Sequence, residues 1–357
     1  MIKNVADILD AARIRDVVGE FVVLKKSGSS LKGLCPFHSE NTPSFIVNEQ
    51  RNIYKCFGCG AGGGAVHFLM EHERMSYPEA LEWLAKKFNV TLEHEKISKE
   101  EEEKIRRAEG FRDSLRAVYR AAEDFYIRQR EEVSGDLLGY FHYRFGNNGT
   151  VDDYGIGYAP AGWNTLWSYL VERQFQEDIL RESGLFVENQ KGGIIDLFRD
   201  RIVFPIYDHY GNVVAFSGRL HPQTDVSYWE KNGQKAPKYI NSPETVIFQK
   251  RKVLYGLDIA KDAVRSTGVL HLVEGHTDVI RCQKEGLVNT AGTMGTALHE
   301  DHVVLIKRYA RDVVVMADGD GAGEKATREW GKMLLKGGVN VSVVRVEGGK
   351  DWDEVLK

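Results

Sequence analysis

From Gly268 onward, strand-like and helix-like stretches of apolar residues alternate along the chain. Val269-Leu270-His271-Leu272-Val273 precedes a helix through Val279 to Lys284, and Val288 to Ala291 precedes a helix from about His299 to Tyr309. Val313-Val314-Val315-Met316-Ala317 precedes a helix from about Glu324 to Leu335, and Val339 to Val344 is a last strand. The run at 313–317 is apolar throughout and ends in glycines, so it reads as a strand buried on both faces. Alternation of this kind predicts a parallel, doubly wound sheet with ligands at the carboxyl ends of its strands. The conspicuous acids all fall there. Glu274 ends the first strand and Asp278 lies one helical turn on; Asp318 and Asp320 end the third strand; Asp351 and Asp353 follow the last.

Upstream the pattern changes. Between residue 135 and about 260 it is mixed, and Ile202 to Tyr207 and Val213 to Ser217, separated by Asp208-His209-Tyr210-Gly211-Asn212, predict a hairpin. The polar stretch His221 to Ala236 reads as a flexible insertion. Ser98 to about Glu132 is charge-dense: Glu100 to Arg107 reads as a linker, and apolar residues returning at Phe111, Leu115, Val118, Ala122, Phe125 and Tyr126 predict an amphipathic helix that packs on the next domain. In the first 95 residues, helical spacing from Val5 to Val18 leads to a short strand Phe21-Val22-Val23-Leu24, a hairpin from Ser44 to Lys55 and a helix from Val66 to Glu73. The expected organisation is a module at 1–95, a charged helical linker at 96–132, a mixed region at 133–260 and a parallel-sheet region at 261–357. That is an α+β and α/β multidomain chain.

Composition narrows the classes. No apolar run approaches the roughly 18 residues of a membrane span, and the N-terminus lacks the apolar core of a secretory signal, so a cytoplasmic protein without membrane contact is expected. The net charge of −4 excludes a uniformly basic nucleic-acid binder. It hides a local basic stretch, however: Lys231, Lys235, Lys238, Lys250, Arg251 and Lys252 face one acid, Glu244. Arg199, Arg201, Arg219 and Lys238 are candidates for gripping phosphates, the alternative for each being a solvated surface charge.

Three of the four cysteines cluster, while Cys282 stands apart. Cys35-Pro36-Phe37-His38 and Cys56-Phe57-Gly58-Cys59 each bring two ligands onto a tight turn, and the hairpin between them closes the tetrahedron of one structural Zn²⁺ held by Cys35, His38, Cys56 and Cys59. His67 and His72 lie beyond this knuckle on a helix, where packed or solvated side chains are expected. The run Gly60-Ala61-Gly62-Gly63-Gly64 lacks the Gly-Lys-Ser/Thr of a phosphate loop and reads as close backbone packing. Phe45, Tyr54 and Phe57, interleaved with Arg51 and Lys55, either stack on single-stranded bases or form the small core.

Asp318 and Asp320, one residue apart, cannot both stay ionised cheaply without a cation, and hard oxygens suit Mg²⁺. An EF-hand loop is excluded, because Ala322 stands at its fifth position and a valine-rich strand replaces the entering helix. Helix capping does not require six acids.

These motifs carry a resemblance. Glu274-Gly275-His276-Thr277-Asp278, Asp318-Gly319-Asp320 and Lys350-Asp351-Trp352-Asp353 resemble the TOPRIM signature of DnaG-type primases, type IA and type II topoisomerases and some nucleases. The Cys/His pairs resemble the primase zinc ribbon. Tyr158-Ala159-Pro160, Phe198-Arg199-Asp200-Arg201, Gly218-Arg219, Pro237 to Thr245 and Leu254-Tyr255-Gly256-Leu257 resemble the primase polymerase core. Together they point to the bacterial DnaG-type primase family. The resemblance implies synthesis of RNA primers from NTPs on a single-stranded DNA template, with Glu274, Asp278, Asp318, Asp320, Asp351 and Asp353 holding Mg²⁺ or Mn²⁺. It also implies that Glu274 assists proton transfer, that Arg199, Arg201, Arg219, Lys238 and Lys250 line the template and nucleotide groove, and that the zinc module reads the initiation site. The sequence stops at Lys357, directly after the last acidic motif, so the expectation is a chain without the family's C-terminal helicase-binding domain, and the resemblance does not extend to a replicative helicase partner. Asp153 stands where some relatives carry a basic residue, and the insertion around Asp225 to Gln234 is long. A TOPRIM nuclease and a non-catalytic zinc-ribbon protein binding single-stranded DNA are the competing readings.

Overall fold

The structure, a computed structural model, describes residues 2–28, 30–38, 40, 42–73, 75, 77–93, 99–146, 148–189, 191–227, 233, 235–295, 297–318, 321–346 and 351–356. It divides into two compact units, Met1–Glu103 and Lys104–Lys357.

The first unit is a five-stranded antiparallel sheet with helices packed on it. Its strands β1 (Lys25–Ser27), β2 (Ser30–Gly33), β3 (Phe45–Asn48), β4 (Ile53–Cys56) and β5 (Gly62–Gly63) lie in sequence order. The helical spacing from Val5 to Val18 resolves into two helices, Val5–Ala11 and Ile14–Val18. Phe21 to Leu24 is irregular rather than a strand: Val23 is exposed, while Phe21 turns inward onto Phe68, His72 and Trp83. Phe45 and Tyr54 are fully buried and stacked at 5.2 Å, so two of the three interleaved aromatics are core; Phe57 is exposed. His72 stacks on Phe68 at 5.2 Å, a packed histidine as expected. The glycine run supplies β5. A Cβ on Gly63 would meet the His67 ring at 2.5 Å, which is why the backbone there carries no side chain.

The second unit starts in a helix that crosses the boundary, Lys99–Glu131. Its first half is exposed. Its second half buries Leu115, Val118, Tyr119, Ala122, Phe125 and Tyr126, the stripe that the apolar spacing predicts. That stripe packs on an antiparallel sheet of β6 (Gly157–Ala159), β9 (Arg201–Tyr207), β10 (Val213–Arg219) and β11 (Tyr239–Asn241), ordered β11-β10-β9-β6; the small hairpin β7 (Phe186–Glu188) and β8 (Ile194–Asp196) lies apart. β9 and β10 are buried on both faces. Val203 and Phe216 face the long helix, and Ile202, Phe204 and Ile206 face the parallel sheet through a shared core.

The parallel sheet comprises β12 (Val269–Val273), β13 (Thr290–Gly292), β14 (Asp312–Ala317) and β15 (Asn340–Arg345), ordered β13-β12-β14-β15. The crossover direction therefore reverses between β12 and β14, and that crevice is where a doubly wound sheet binds ligands. A buried polar network ties the two sheets together: the Tyr154 hydroxyl donates to Gln283 Oε1 at 2.7 Å, and Gln283 Nε2 donates to the carbonyls of Gly256 and Thr290.

Asp196 shows how distant segments are joined. At the end of β8 it accepts hydrogen bonds from the Leu166 and Trp167 amides and the Thr165 hydroxyl, capping the helix Thr165–Glu172 from outside. Burial pushes its carboxyl up to about 6 from the ordinary 3.8. The unfolded chain then ionises first, so Asp196 favours the fold below its ordinary value and loses that advantage as pH rises towards 6. Asp196→Asn keeps one acceptor and removes the charge. In urea denaturation, its stability relative to the parent should improve by about 1–3 kcal/mol between pH 4 and pH 7. A difference independent of pH would show that the carboxyl is not destabilised by burial.

Candidate metal and nucleic-acid sites

In the first unit the two turns bring Cys35, His38, Cys56 and Cys59 together, with one ligand atom from each all within 4.8 Å of one another. The Cys35 and Cys59 sulfurs are 3.8 Å apart. Tetrahedral zinc with Zn–S bonds of about 2.3 Å requires sulfurs about 3.8 Å apart, so the donor set fits structural zinc. Backbone amides already point at the sulfurs: Phe37 donates to Cys35, and Gly58 and Cys59 donate to Cys56. Burial pushes the Cys35 thiol up to about 12. Burial also opposes ionisation of Cys56, but the Ser44 hydroxyl and the Cys59 and Gly58 amides together draw it down to about 6.

In the second unit, Glu274 and Asp318 leave the adjacent parallel strands β12 and β14, whose register pairs Leu272 with Val315. They flank the crossover reversal. β12 passes through Gly275 into the helix His276–Lys284, where Asp278 Oδ2 accepts the Gly275 amide at 3.1 Å. A Cβ on Gly275 would lie 2.5 Å from that oxygen, so glycine is what lets Asp278 fold back over the helix start. Gly323 plays the same part for Asp318. A Cβ there would be 2.3 Å from the Asp318 carbonyl oxygen, backbone that has no room to yield. Asp351 caps the short helix Trp352–Val355 by accepting the Glu354 amide, and the Asp353 amide donates to Asp278 Oδ1 at 3.2 Å. Burial, with the charge of Asp351 next, pushes the Asp278 carboxyl up to about 6. Carboxylate oxygens suit a hard divalent cation, but among the described residues only the Cys/His quartet of the first unit brings three or more metal-ligand atoms close together. Asp320 and Lys350 lie outside the described residues, as do 228–232 and 234 of the expected insertion.

Asp353, expected among the metal ligands, has its buried carboxylate between two arginines: Arg144 Nη1 pairs with Oδ2, and Arg281 Nε donates to Oδ1 at 3.3 Å. His276 sits against Tyr255, Phe204 and Tyr239 from neighbouring segments, and burial together with Arg219 lowers its imidazole to about 3, leaving it neutral.

The basic candidates separate into three environments. Arg219 ends β10, is buried, and lies over Tyr239 at 5.5 Å; its Nε and Nη1 have no hydrogen-bond partner among the described residues. Through Tyr239 and His276 it stands next to the helix that carries Asp278. Lys238 is exposed beside it at the start of β11. Arg201 is buried with its fork spent on the carbonyls of Gly218, Pro237 and, at 3.5 Å, Lys238, and burial lowers it to about 10. Arg199 points the other way, donating to the Asp196 carbonyl and covering the half-exposed Trp163 ring at 4.4 Å. Asp200 between them has φ of 49°, and that left-handed turn sends neighbouring side chains in opposite directions. Lys250 lies elsewhere, its carbonyl accepting His302 Nε2 from the helix Glu300–Lys307.

Asp200, Trp163 and Arg144 had no role in the sequence reading. Asp200 accepts the Tyr158 hydroxyl, His221 Nε2 and the Asp225 amide, which anchors the beginning of the predicted insertion. Its place between two arginines was the available signal. Nothing local marks Arg144, which meets Asp353 only in the fold.

Residues 2–100 match the CHC2 zinc finger, 125–261 the N-terminal domain of the DNA primase catalytic core, and 271–356 a Toprim-like domain. The chain is 37% identical to the DNA primase of Clostridium acetobutylicum and 38% to that of Halalkalibacterium halodurans, covering 100% and 99% of itself and 56% and 57% of those proteins. It thus spans little more than half the length of these relatives. Among solved structures, it is 34% identical to the Aquifex aeolicus primase zinc-binding and RNA polymerase domains, with a TM-score of 0.61 over 100% of this chain and 82% of that one. A primase domain from Pseudomonas aeruginosa is 33% identical, with a TM-score of 0.59 over 68% of this chain and 74% of that one. A DnaG primase catalytic domain bound to single-stranded DNA is 29% identical, with a TM-score of 0.60 over 69% of this chain and 77% of that one. Zinc ribbon, primase core and Toprim-like domain follow one another along this chain, which is 34% identical to the Aquifex aeolicus primase domains over 82% of their length, and the chain belongs to the DnaG-type DNA primase family.

Proposed function

We propose that this chain makes short RNA primers from NTPs on a single-stranded DNA template, acting as a nucleotidyltransferase in the cytoplasm. The observation that carries the reading is the crevice between β12 and β14, with Glu274 and Asp318 on either side, Asp278 folded over the helix start and Arg219 one aromatic layer away. Acidic residues that gather cations beside a buried arginine suit phosphoryl transfer, in which positioning and charge neutralisation do most of the work. The solved relative described as bound to single-stranded DNA supports the choice of template.

Glu274, Asp278, Asp318, Asp320 and Asp351 would hold Mg²⁺ or Mn²⁺, which when bound supplies charge to the phosphates and acidifies the attacking 3′-hydroxyl. Glu274 takes up the proton that this hydroxyl loses. Asp353, clamped by Arg144 and Arg281, orients Asp278 through its amide. Arg219, whose buried Nε and Nη1 have no partner among the described residues, supplies N–H groups to a phosphate, and Arg201 holds the backbone that presents Arg219 and Lys238. Trp163 under Arg199 offers a ring for base stacking. The zinc module selects the template site.

Incubating the purified chain with single-stranded DNA, NTPs and Mg²⁺ or Mn²⁺ should yield short, template-dependent RNA. Strand scission without RNA product would replace this reading with a nuclease, and DNA binding without either product would replace it with a non-catalytic binder.

A further inference from the structure

The loop that follows His38 carries a carboxylate with an unusual number of partners. Glu40 Oε1 accepts the Cys35 amide at 2.8 Å and the Ser44 amide at 2.9 Å, while Oε2 accepts the Ser44 hydroxyl at 2.5 Å and faces His38 Nε2 at 3.3 Å. The other imidazole nitrogen, Nδ1, faces the Cys56 sulfur at 3.8 Å. The ring is therefore strung between the sulfur cluster and a carboxylate. Gly58 keeps the space in which this happens, because a Cβ there would sit 2.7 Å from His38 Nε2 and 2.9 Å from Ser44 Oγ.

We infer that Glu40 is a positioning residue for the zinc centre: it fixes the His38 tautomer with Nδ1 free for the metal and strengthens that nitrogen as a donor. A histidine whose second nitrogen donates to a carboxylate is a stronger and better-aimed ligand, and loss of such a partner costs about 10–100-fold in metal affinity. The two oxygens divide the work. Oε1 staples the loop through two amides, and Oε2 serves His38 and Ser44.

That division makes Glu40→Gln informative, since glutamine keeps an acceptor for the amides and turns a donor towards His38. Zinc affinity of the full chain, measured by chelator competition, should fall about 10–100-fold, with the zinc-loaded variant keeping the parent's circular dichroism. The Co²⁺-substituted protein should show shifted ligand-field bands, which report the donor set directly. The decisive comparison is the same substitution in a His38→Cys background, where no imidazole remains: Glu40→Gln should then leave zinc affinity unchanged or raise it. An equal loss in both backgrounds would overturn the inference and reduce Glu40 to a loop staple, as would a parent-like affinity and Co²⁺ spectrum for Glu40→Gln alone. If Glu40→Gln fails to fold, Glu40→Asp tests the same point, because a shortened carboxylate should shift the Co²⁺ bands while retaining its charge.

Discussion

Glu274→Gln is expected to reduce primer synthesis by about 10³-fold or more while leaving affinity for single-stranded DNA within about threefold. The substitution is nearly isosteric, and the backbone around it is held independently of the side chain. The Glu274 carbonyl accepts the Gly295 amide at 2.8 Å, and the Val273 carbonyl accepts the Thr293 amide. The strand end therefore stays in place when the charge is removed. What is lost is the negative charge of an oxygen donor and a proton acceptor at the sheet's crossover reversal, since glutamine keeps only a neutral carbonyl oxygen. DNA affinity should persist because the basic side chains offered to phosphate, Arg219 at the end of β10 and Lys238 just before β11, lie outside the parallel sheet. Primer yield and fluorescence-anisotropy binding, measured on the same preparation, check the two halves. Synthesis within tenfold of the parent would remove Glu274 from the chemistry; loss of DNA binding in parallel would show that it acts on the fold or the groove instead.

Stripping zinc, or replacing Cys56 by Ser, should unfold much of the first unit and spare the second. Cys56 is fully buried, ends β4 and pairs with Phe45, the centre of the aromatic cluster with Tyr54, Phe37 and Phe68. Binding of structural zinc is worth about 10–16 kcal/mol in isolated zinc-finger peptides, as much as the whole stability of a typical domain of this size, about 5–15 kcal/mol. Limited proteolysis of the full chain with and without a chelator should show rapid cleavage within 1–103 and an intact fragment beginning in the helix Lys99–Glu131. Equal protease resistance of both units after verified zinc loss would mean that the apolar core suffices, and that the Cys/His cluster serves something other than structure.

Much of this architecture could be read from the chain. The valine-rich segments of the parallel sheet, the hairpin at 202–217 and the apolar stripe at 115–126 are legible because a buried strand or helix face imposes its own period, and that period survives without knowledge of neighbours. The zinc ligands are legible for a similar reason: each pair must share one turn, so its spacing is local. Phe21 to Leu24 misleads because a run of apolar residues suits a strand or an irregular segment equally well, and the packing of Phe21 on Trp83 and Phe68 settles it. Among the basic residues, Arg199 and Arg201 look alike in sequence. The left-handed Asp200 between them places one on a surface tryptophan and buries the other among carbonyls.

By itself the sequence determined the order of the domains, the zinc quartet and the placing of acids at strand ends, because each depends on contacts within a few residues. The tertiary structure alone decided which charges act together. Asp278 is perturbed by Asp351 from the far end of the sheet, Asp353 is held by an arginine more than two hundred residues earlier, and Arg219 reaches the acidic helix through Tyr239 and His276. Those pairings join segments that are remote along the chain, and their energies depend on distance and burial, which no local pattern encodes. A carboxylate at a strand end is a prediction of place; whether it meets a cation, a metal or another carboxylate is settled by what the fold sets opposite it.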